Sequence, residues 1–298
     1  MALRQTAGLP KRLLLATDLS ARCDRALDRA TQLADLWGAE LIVVHALEAP
    51  VEGDIAPSWH RQTDSQVSAE DRARKEIHMI SPRARVVVET GEPGEVALRV
   101  AEAQSCDLIV LGIARDELLG RVFLGSTVDC VLQRAKVPVL VVRNRARQPY
   151  RSIVVATDFS QPSRHALEAA AFLFSTATTK LFHAYKPPMS GLVSDPSSYR
   201  REFRESVAKE AEEFLATSKV SKSAGEQPEI MLEYGDPHRL LHEYAQEKSV
   251  DLVVAGTHGR SALMDVLIGS VAKKLVTTLP CDTLLVRSAS GAASGASH

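Results

Sequence analysis

Aromatic residues are scarce in this 298-residue chain, at 5% with two tryptophans, which argues against a base-stacking platform for single-stranded nucleic acid. There is no surplus of either charge. Lys and Arg number 36 against 37 Asp and Glu, and the stretch up to Tyr150 holds 20 of each sign. A surface that tracks phosphates needs a basic excess, so nucleic acid is not an expected partner. No apolar run approaches the roughly 18 residues of a bilayer span. Near the start, Leu13-Leu14-Leu15-Ala16 is cut short by Asp18, too early for a signal-peptide core. The four cysteines (Cys23, Cys106, Cys130, Cys281) form no Cys-x2-Cys pair and read as reduced thiols rather than a disulfide frame or zinc site. Also missing are a Gly-x4-Gly-Lys-Ser/Thr phosphate loop and a Gly-x-Ser-x-Gly nucleophile elbow. A soluble, cytoplasmic chain long enough for two domains is expected, with no membrane contact.

What is present is a repeat. Gly91-Glu92-Pro93 returns as Gly235-Asp236-Pro237, and 107–112 (DLIVLG) returns as 251–256 (DLVVAG). Gly125-Ser126 meets Gly269-Ser270, and residues 91–143 share 15 identities with 235–287 at a constant shift of 144. Leu15-Ala16-Thr17-Asp18-Leu19-Ser20 likewise meets Val155-Ala156-Thr157-Asp158-Phe159-Ser160 at a shift of 140. So long a period means tandem domains rather than a solenoid.

Within one copy, short apolar runs at 12–17, 41–47, 85–89, 107–112 and 137–142 predict five buried strands. Helical spacing follows the first strand, with Ser20 as its cap and Gly38 at its end, and recurs at 95–103 and 126–134. The second copy predicts strands at 152–157, 180–185, 229–233, 251–256 and 283–286. Near-continuous apolar strands separated by helices imply parallel sheets covered on both faces, so each half is expected to be a doubly wound α/β unit with its ligand edge at the carboxyl ends of the strands. Segments 48–65 and 186–199, rich in Pro, Ser and Asp, read as loops, 144–149 as a linker, and 288–298 as a disordered tail.

The second half carries Gly256-Thr257-His258-Gly259, then nine residues, then Gly269-Ser270. Gly259 permits a turn and close backbone approach. Gly269-Ser270 opens a helix whose free N–H groups and positive dipole end suit an anion. Arg260, Lys273 and Lys274 could add charge. Turn glycines and a helix cap with no phosphate remain the plain alternative.

The Gly-x2-Gly-x9-Gly-Ser spacing, the Ala-Thr-Asp after the first strand and the His after the second resemble the universal stress protein family, over both halves. The resemblance implies two tandem, Rossmann-like, five-stranded parallel sheets of strand order 3-2-1-4-5, paired as a pseudo-dimer through the strands at 138–142 and 283–286. It divides the chain into 1–146, 150–287 and the tail 288–298. It also implies ATP as ligand, with Mg2+ as an optional companion, held by Gly256, Thr257, His258, Gly259, Arg260, Gly269, Ser270 and Val271 around ribose and phosphates. Asp158, beside Ala156 and Thr157, would face the adenosine, and the Ala184 backbone the adenine edge. In the first half Asp18, Ala46, Gly112, Gly125 and Ser126 keep this frame, but Arg115 stands where Gly259 would, followed by Asp116-Glu117. The lost glycine obstructs close backbone approach, although an Arg is itself a phosphate ligand, so the first half is expected to be at most a weaker second site.

Other residues have plainer readings. Asp158 could be only a turn residue. His45 and His183, at the ends of their strands, are expected to be packed histidines. His238 and His242, at i and i+4, lack an evident third ligand, so no metal is expected. No carboxylate or histidine can be assigned as a base, so slow ATP hydrolysis at most is expected, not an enzyme. The expected function is an adenine-nucleotide-binding stress or regulatory protein, able to form a homodimer. The alternative is an interaction scaffold that binds no nucleotide.

Overall fold

The computed structural model describes residues 8–21, 23–47, 62–113, 124–187, 195–222, 227–257 and 269–287. The chain divides into two compact units, one ending at Pro149 and the other starting at Tyr150. The first runs β1 (Arg12–Thr17), α1 (Asp24–Trp37), β2 (Glu40–Leu47), α2 (Gln62–Ile80), β3 (Arg85–Thr90), α3 (Pro93–Ala103), β4 (Leu108–Gly112), α4 (Ser126–Arg134), β5 (Val139–Val142). The second runs β6 (Ser152–Ala156), α5 (Gln161–Leu173), β7 (Thr178–Tyr185), α6 (Pro196–Ala216), a 3-10 turn (Lys219–Lys222), β8 (Glu229–Tyr234), α7 (Pro237–Glu247), β9 (Leu252–Gly256), α8 (Ser270–Thr278), β10 (Asp282–Val286).

Strand order in the first unit is β3-β2-β1-β4-β5, and in the second β8-β7-β6-β9-β10. Each is the expected 3-2-1-4-5, and every pairing within a unit is parallel. The central strands are apolar on both faces because helices cover both. Leu13, Leu14 and Leu15 are fully buried, as are Ile153 and Val155. α1 buries Ala26, Ala30, Leu33, Ala34 and Trp37 along one stripe and stops at Gly38, whose φ of 63° is the left-handed cap that glycine favours.

The boundaries differ from the sequence expectation where polar groups terminate elements. Asp107 and Asp251 fall just outside their strands. Asp107 Oδ2 accepts from the Lys11 and Arg12 amides at 2.7 and 3.0 Å. Asp251 Oδ2 accepts from those of Arg151 and Ser152 at 2.8 and 2.9 Å. Each carboxylate thereby satisfies the entry of the neighbouring central strand.

Segments 186–199 and 48–65 are not wholly loop, because α6 starts at Pro196 and α2 at Gln62. Asp195 caps α6 by accepting from the Ser197 and Ser198 amides, with Pro196 in the first turn. The Asp-Pro-Ser-Ser composition that resembles a loop is here a helix start. Ser20 does not cap α1. Its carbonyl accepts from the Cys23 amide, and the helix begins only at Asp24. Ser160, its counterpart, does cap α5, where Pro162 presets the first turn. The expected tail at 288–298 lies outside the described residues.

Replacing Asp251 by Ala should cost about 1–3 kcal/mol, because two strand-entry amides lose their acceptor. The check is a lower urea midpoint at unchanged slope.

Candidate functional site

Register brings the candidate residues together at the carboxyl edge of the second sheet. Ala156 pairs with Ala255 on one side and Phe182 on the other. Thr157-Asp158 and Thr257 therefore leave the sheet side by side, with Gly256 and Ala184 among the last residues of their strands beside them, where the strand order reverses between β6 and β9. The β9-to-α8 connection closes on itself, as the Gly269 amide donates to the Thr257 carbonyl at 2.8 Å. This fixes the start of α8 at the end of β9. Gly269 caps α8 without a side-chain hydrogen bond, and a helix start of this kind suits an anion. Val271 is half exposed on this first turn. His258, Gly259, Arg260 and the side chain of Ser270 lie outside the described residues.

Gly256 has a packing role as well. A Cβ there would come within 2.9 Å of the Pro162 backbone, so the absent side chain lets α5 approach the end of β9.

The Asp158 turn is held from several directions. Asp158 Oδ1 accepts from the Ser160 amide and hydroxyl. The Phe159 amide donates to Thr157 Oγ1 at 2.9 Å, and that hydroxyl donates onward to Ser163 Oγ. His183 Nδ1 donates to the Thr157 carbonyl at 2.8 Å, the packed role expected of it. Phe159 itself adopts φ of 61°, a left-handed conformation that costs a non-glycine residue of order 1–2 kcal/mol.

The first half repeats this wiring with changes. Asp18 Oδ1 accepts from the Ser20 amide and hydroxyl, and also from the Cys23 thiol at 3.0 Å. His45 Nδ1 donates to the Thr17 carbonyl at 2.9 Å, and Leu19 shares φ of 61°. Ala46 and Gly112 sit at the ends of β2 and β4, and Gly125 caps α4 with open space before it. Burial resists ionisation of Asp18, yet the thiol, hydroxyl and amide hydrogen bonds together hold its carboxyl below the ordinary value. Arg115, Asp116 and Glu117 lie outside the described residues.

One difference between the halves was missed in the sequence reading, although the repeat alignment contains it. The first turn of α4 carries Asp129, where α8 carries Lys273 and no acid. A carboxylate there already complements the helix dipole and repels a phosphate, whereas a lysine attracts one. His238 and His242 serve other ends. His242 Nδ1 donates to the Thr278 carbonyl at 2.8 Å, and burial followed by the nearby Lys274 charge pulls His238 below its usual value. Among the described residues no three His, Cys, Asp or Glu side chains gather as a metal site. No described helix is long and apolar enough to cross a membrane.

The model of the universal stress protein family matches the chain twice, over residues 10–143 and 149–287. The chain belongs to this family. As a tandem universal stress protein it matches single-domain relatives with one half. It is 33% identical over 135 residues to the universal stress protein in the QAH/OAS sulfhydrylase 3'region of Thermus aquaticus, covering 45% of this chain and 98% of the relative. It is 31% identical over 147 residues to universal stress protein YxiE of Bacillus subtilis, covering 46% and 99%. Among solved structures, a universal stress protein from Archaeoglobus fulgidus superposes with a TM-score of 0.64 at 20% identity, over 93% of this chain and 98% of that one. The functionally unknown protein PA1789 of Pseudomonas aeruginosa gives 0.63 at 19%, over 93% and 92%. At these identities the two structures support the fold alone.

Burial, with the Asp18 carboxylate beside it, pushes the Cys23 thiol up to about 11 from a reference of 9.0. The thiol therefore stays protonated through neutral and mildly alkaline pH. Its alkylation in the folded protein at pH 8 should be about 100-fold slower than in the unfolded chain, measured by mass spectrometry.

Proposed function

We propose that this universal stress protein binds ATP in its second half and acts as a nucleotide-dependent stress or regulatory protein, with the first half as a degenerate copy. The observation that carries the reading is the α8 start. It is a helix N-terminus with glycine at its cap position, stitched to the end of β9, with Lys273 in its first turn and the Asp158 turn across the strand-order reversal. An anion at the helix and a polar sugar at the aspartate suit a nucleoside phosphate. Asp129 in the equivalent place and Arg115 in the motif disfavour the first half. The reading is of binding rather than turnover. A steady-state ATPase rate well above roughly 1 s⁻¹ would contradict it.

Calorimetric titration of the intact chain with ATP should give one site per chain. Gly259→Arg, the first half's arrangement, should abolish it. Lys273→Asp should weaken it by about tenfold, the order expected for reversing a charge near a bound phosphate. Absence of binding by the unaltered protein would overturn the nucleotide reading in favour of an interaction scaffold, and two equal sites would overturn the assigned asymmetry. Repeating the titration with a chelator decides whether Mg2+ accompanies the phosphates.

A further inference from the structure

The two halves differ beneath their aspartate turns. In the second half the strained residue belongs to a ring stack. Phe159 lies 4.3 Å from the imidazole of His183 and 5.5 Å from the ring of Phe214 on α6, centroid to centroid. The Arg164 guanidinium covers Phe214 at 5.2 Å and donates to the Thr217 carbonyl at the end of the same helix. Because His183 also holds the Thr157 carbonyl, the stack braces the segment from which Asp158 projects.

In the first half the residues at the positions of Phe159 and Arg164 are different. Leu19 replaces Phe159 at the same φ, and Asp24 stands where Arg164 does. Beside Leu19 lies a small cavity of about 20 Å³, lined by Leu15, Thr17, Leu19, Cys23, Leu27 and Ile77 among others. His45 keeps its bond to the Thr17 carbonyl, but Leu19 offers it no ring face.

We infer that Phe159 and Phe214 are positioning residues for the nucleotide site, holding the Asp158 turn in its binding geometry before any ligand arrives, and that the first-half cavity marks the loss of this support. The inference rests on the assignment of ATP to the second half. It supplies a cause of asymmetry separate from the glycine loop. Leu19 keeps the same φ without the rings, so what the rings add is stiffness and not the conformation itself, and a site already ordered spends less of its binding free energy on ordering. Packed rings supply that stiffness, whereas an aliphatic side chain in the same place makes fewer contacts to hold the turn.

Amide exchange in the nucleotide-free protein tests this directly, since the Ser160 and Ser20 amides each donate to their own aspartate. Ser160 should exchange at least about tenfold more slowly than Ser20 after correction for intrinsic rates. Phe159→Leu should bring Ser160 close to Ser20 and weaken ATP by at least about tenfold. Phe159→Tyr, which keeps the ring, should restore both. Leu19→Phe should slow exchange at Ser20, and this arm stands even if Phe159→Leu fails to fold. Equal exchange at the two serines in the unaltered protein would overturn the inference. So would a folded Phe159→Leu variant with unchanged Ser160 exchange and unchanged ATP affinity. If the unaltered protein binds no ATP, the proposed function fails, while the exchange comparison still decides whether the rings brace the turn.

Discussion

The site depends on β6 being paired in parallel on both sides. Because β7 and β9 flank it in the same direction, three connections leave the sheet at one edge. The strand order reverses between β6 and β9, the place at which parallel α/β sheets generally take ligands. Backbone pairing alone therefore juxtaposes Asp158, Gly256-Thr257 and Ala184, which lie far apart in the chain. Burial on both sheet faces fixes that register, since a one-residue slip would rotate each central strand's side chains to the opposite face. Asp107 and Asp251 act at the far end of the same strands, satisfying the entry amides of β1 and β6.

Duplication makes the chain its own control experiment. Two copies share strand order, the aspartate turn, the histidine anchor and even the positive φ of Leu19 and Phe159. Features common to both are what the fold needs. Three of the many positions that differ (Lys273 against Asp129, Phe159 against Leu19, Ser163 against Cys23) lie near the carboxyl edge of the sheet.

Much of this was legible in the sequence because its signals are local. Strand runs such as 12–17 coincide with β1, and the glycine pairs at 125 and 269 mark helix starts. The starts of α2 and α6 were illegible because proline, serine and aspartate serve loops and helix N-termini alike, and only the Asp195 hydrogen bonds separate the two uses. Cys23 taking the cap position expected of Ser20 has the same origin, since both lie in a turn that can close in two ways. The charge reversal at 129 and 273 was available by alignment. The ring stack was not, because Phe214 reaches Phe159 across 55 residues of chain and only Phe159 lies in a repeated segment. Gly256 could be read as a ligand-edge glycine, but its contact with Pro162 exists only once α5 has docked.

The histidine anchors have a consequence for the tautomer of each ring. In both halves Nδ1 faces a carbonyl oxygen, which can only accept, so Nδ1 carries the proton. That N–H is present in the neutral ring and in the imidazolium alike. The hydrogen bond that ties each aspartate turn to its neighbouring strand thus also fixes the tautomer of its own donor, and leaves Nε2 as the ring's second polar atom.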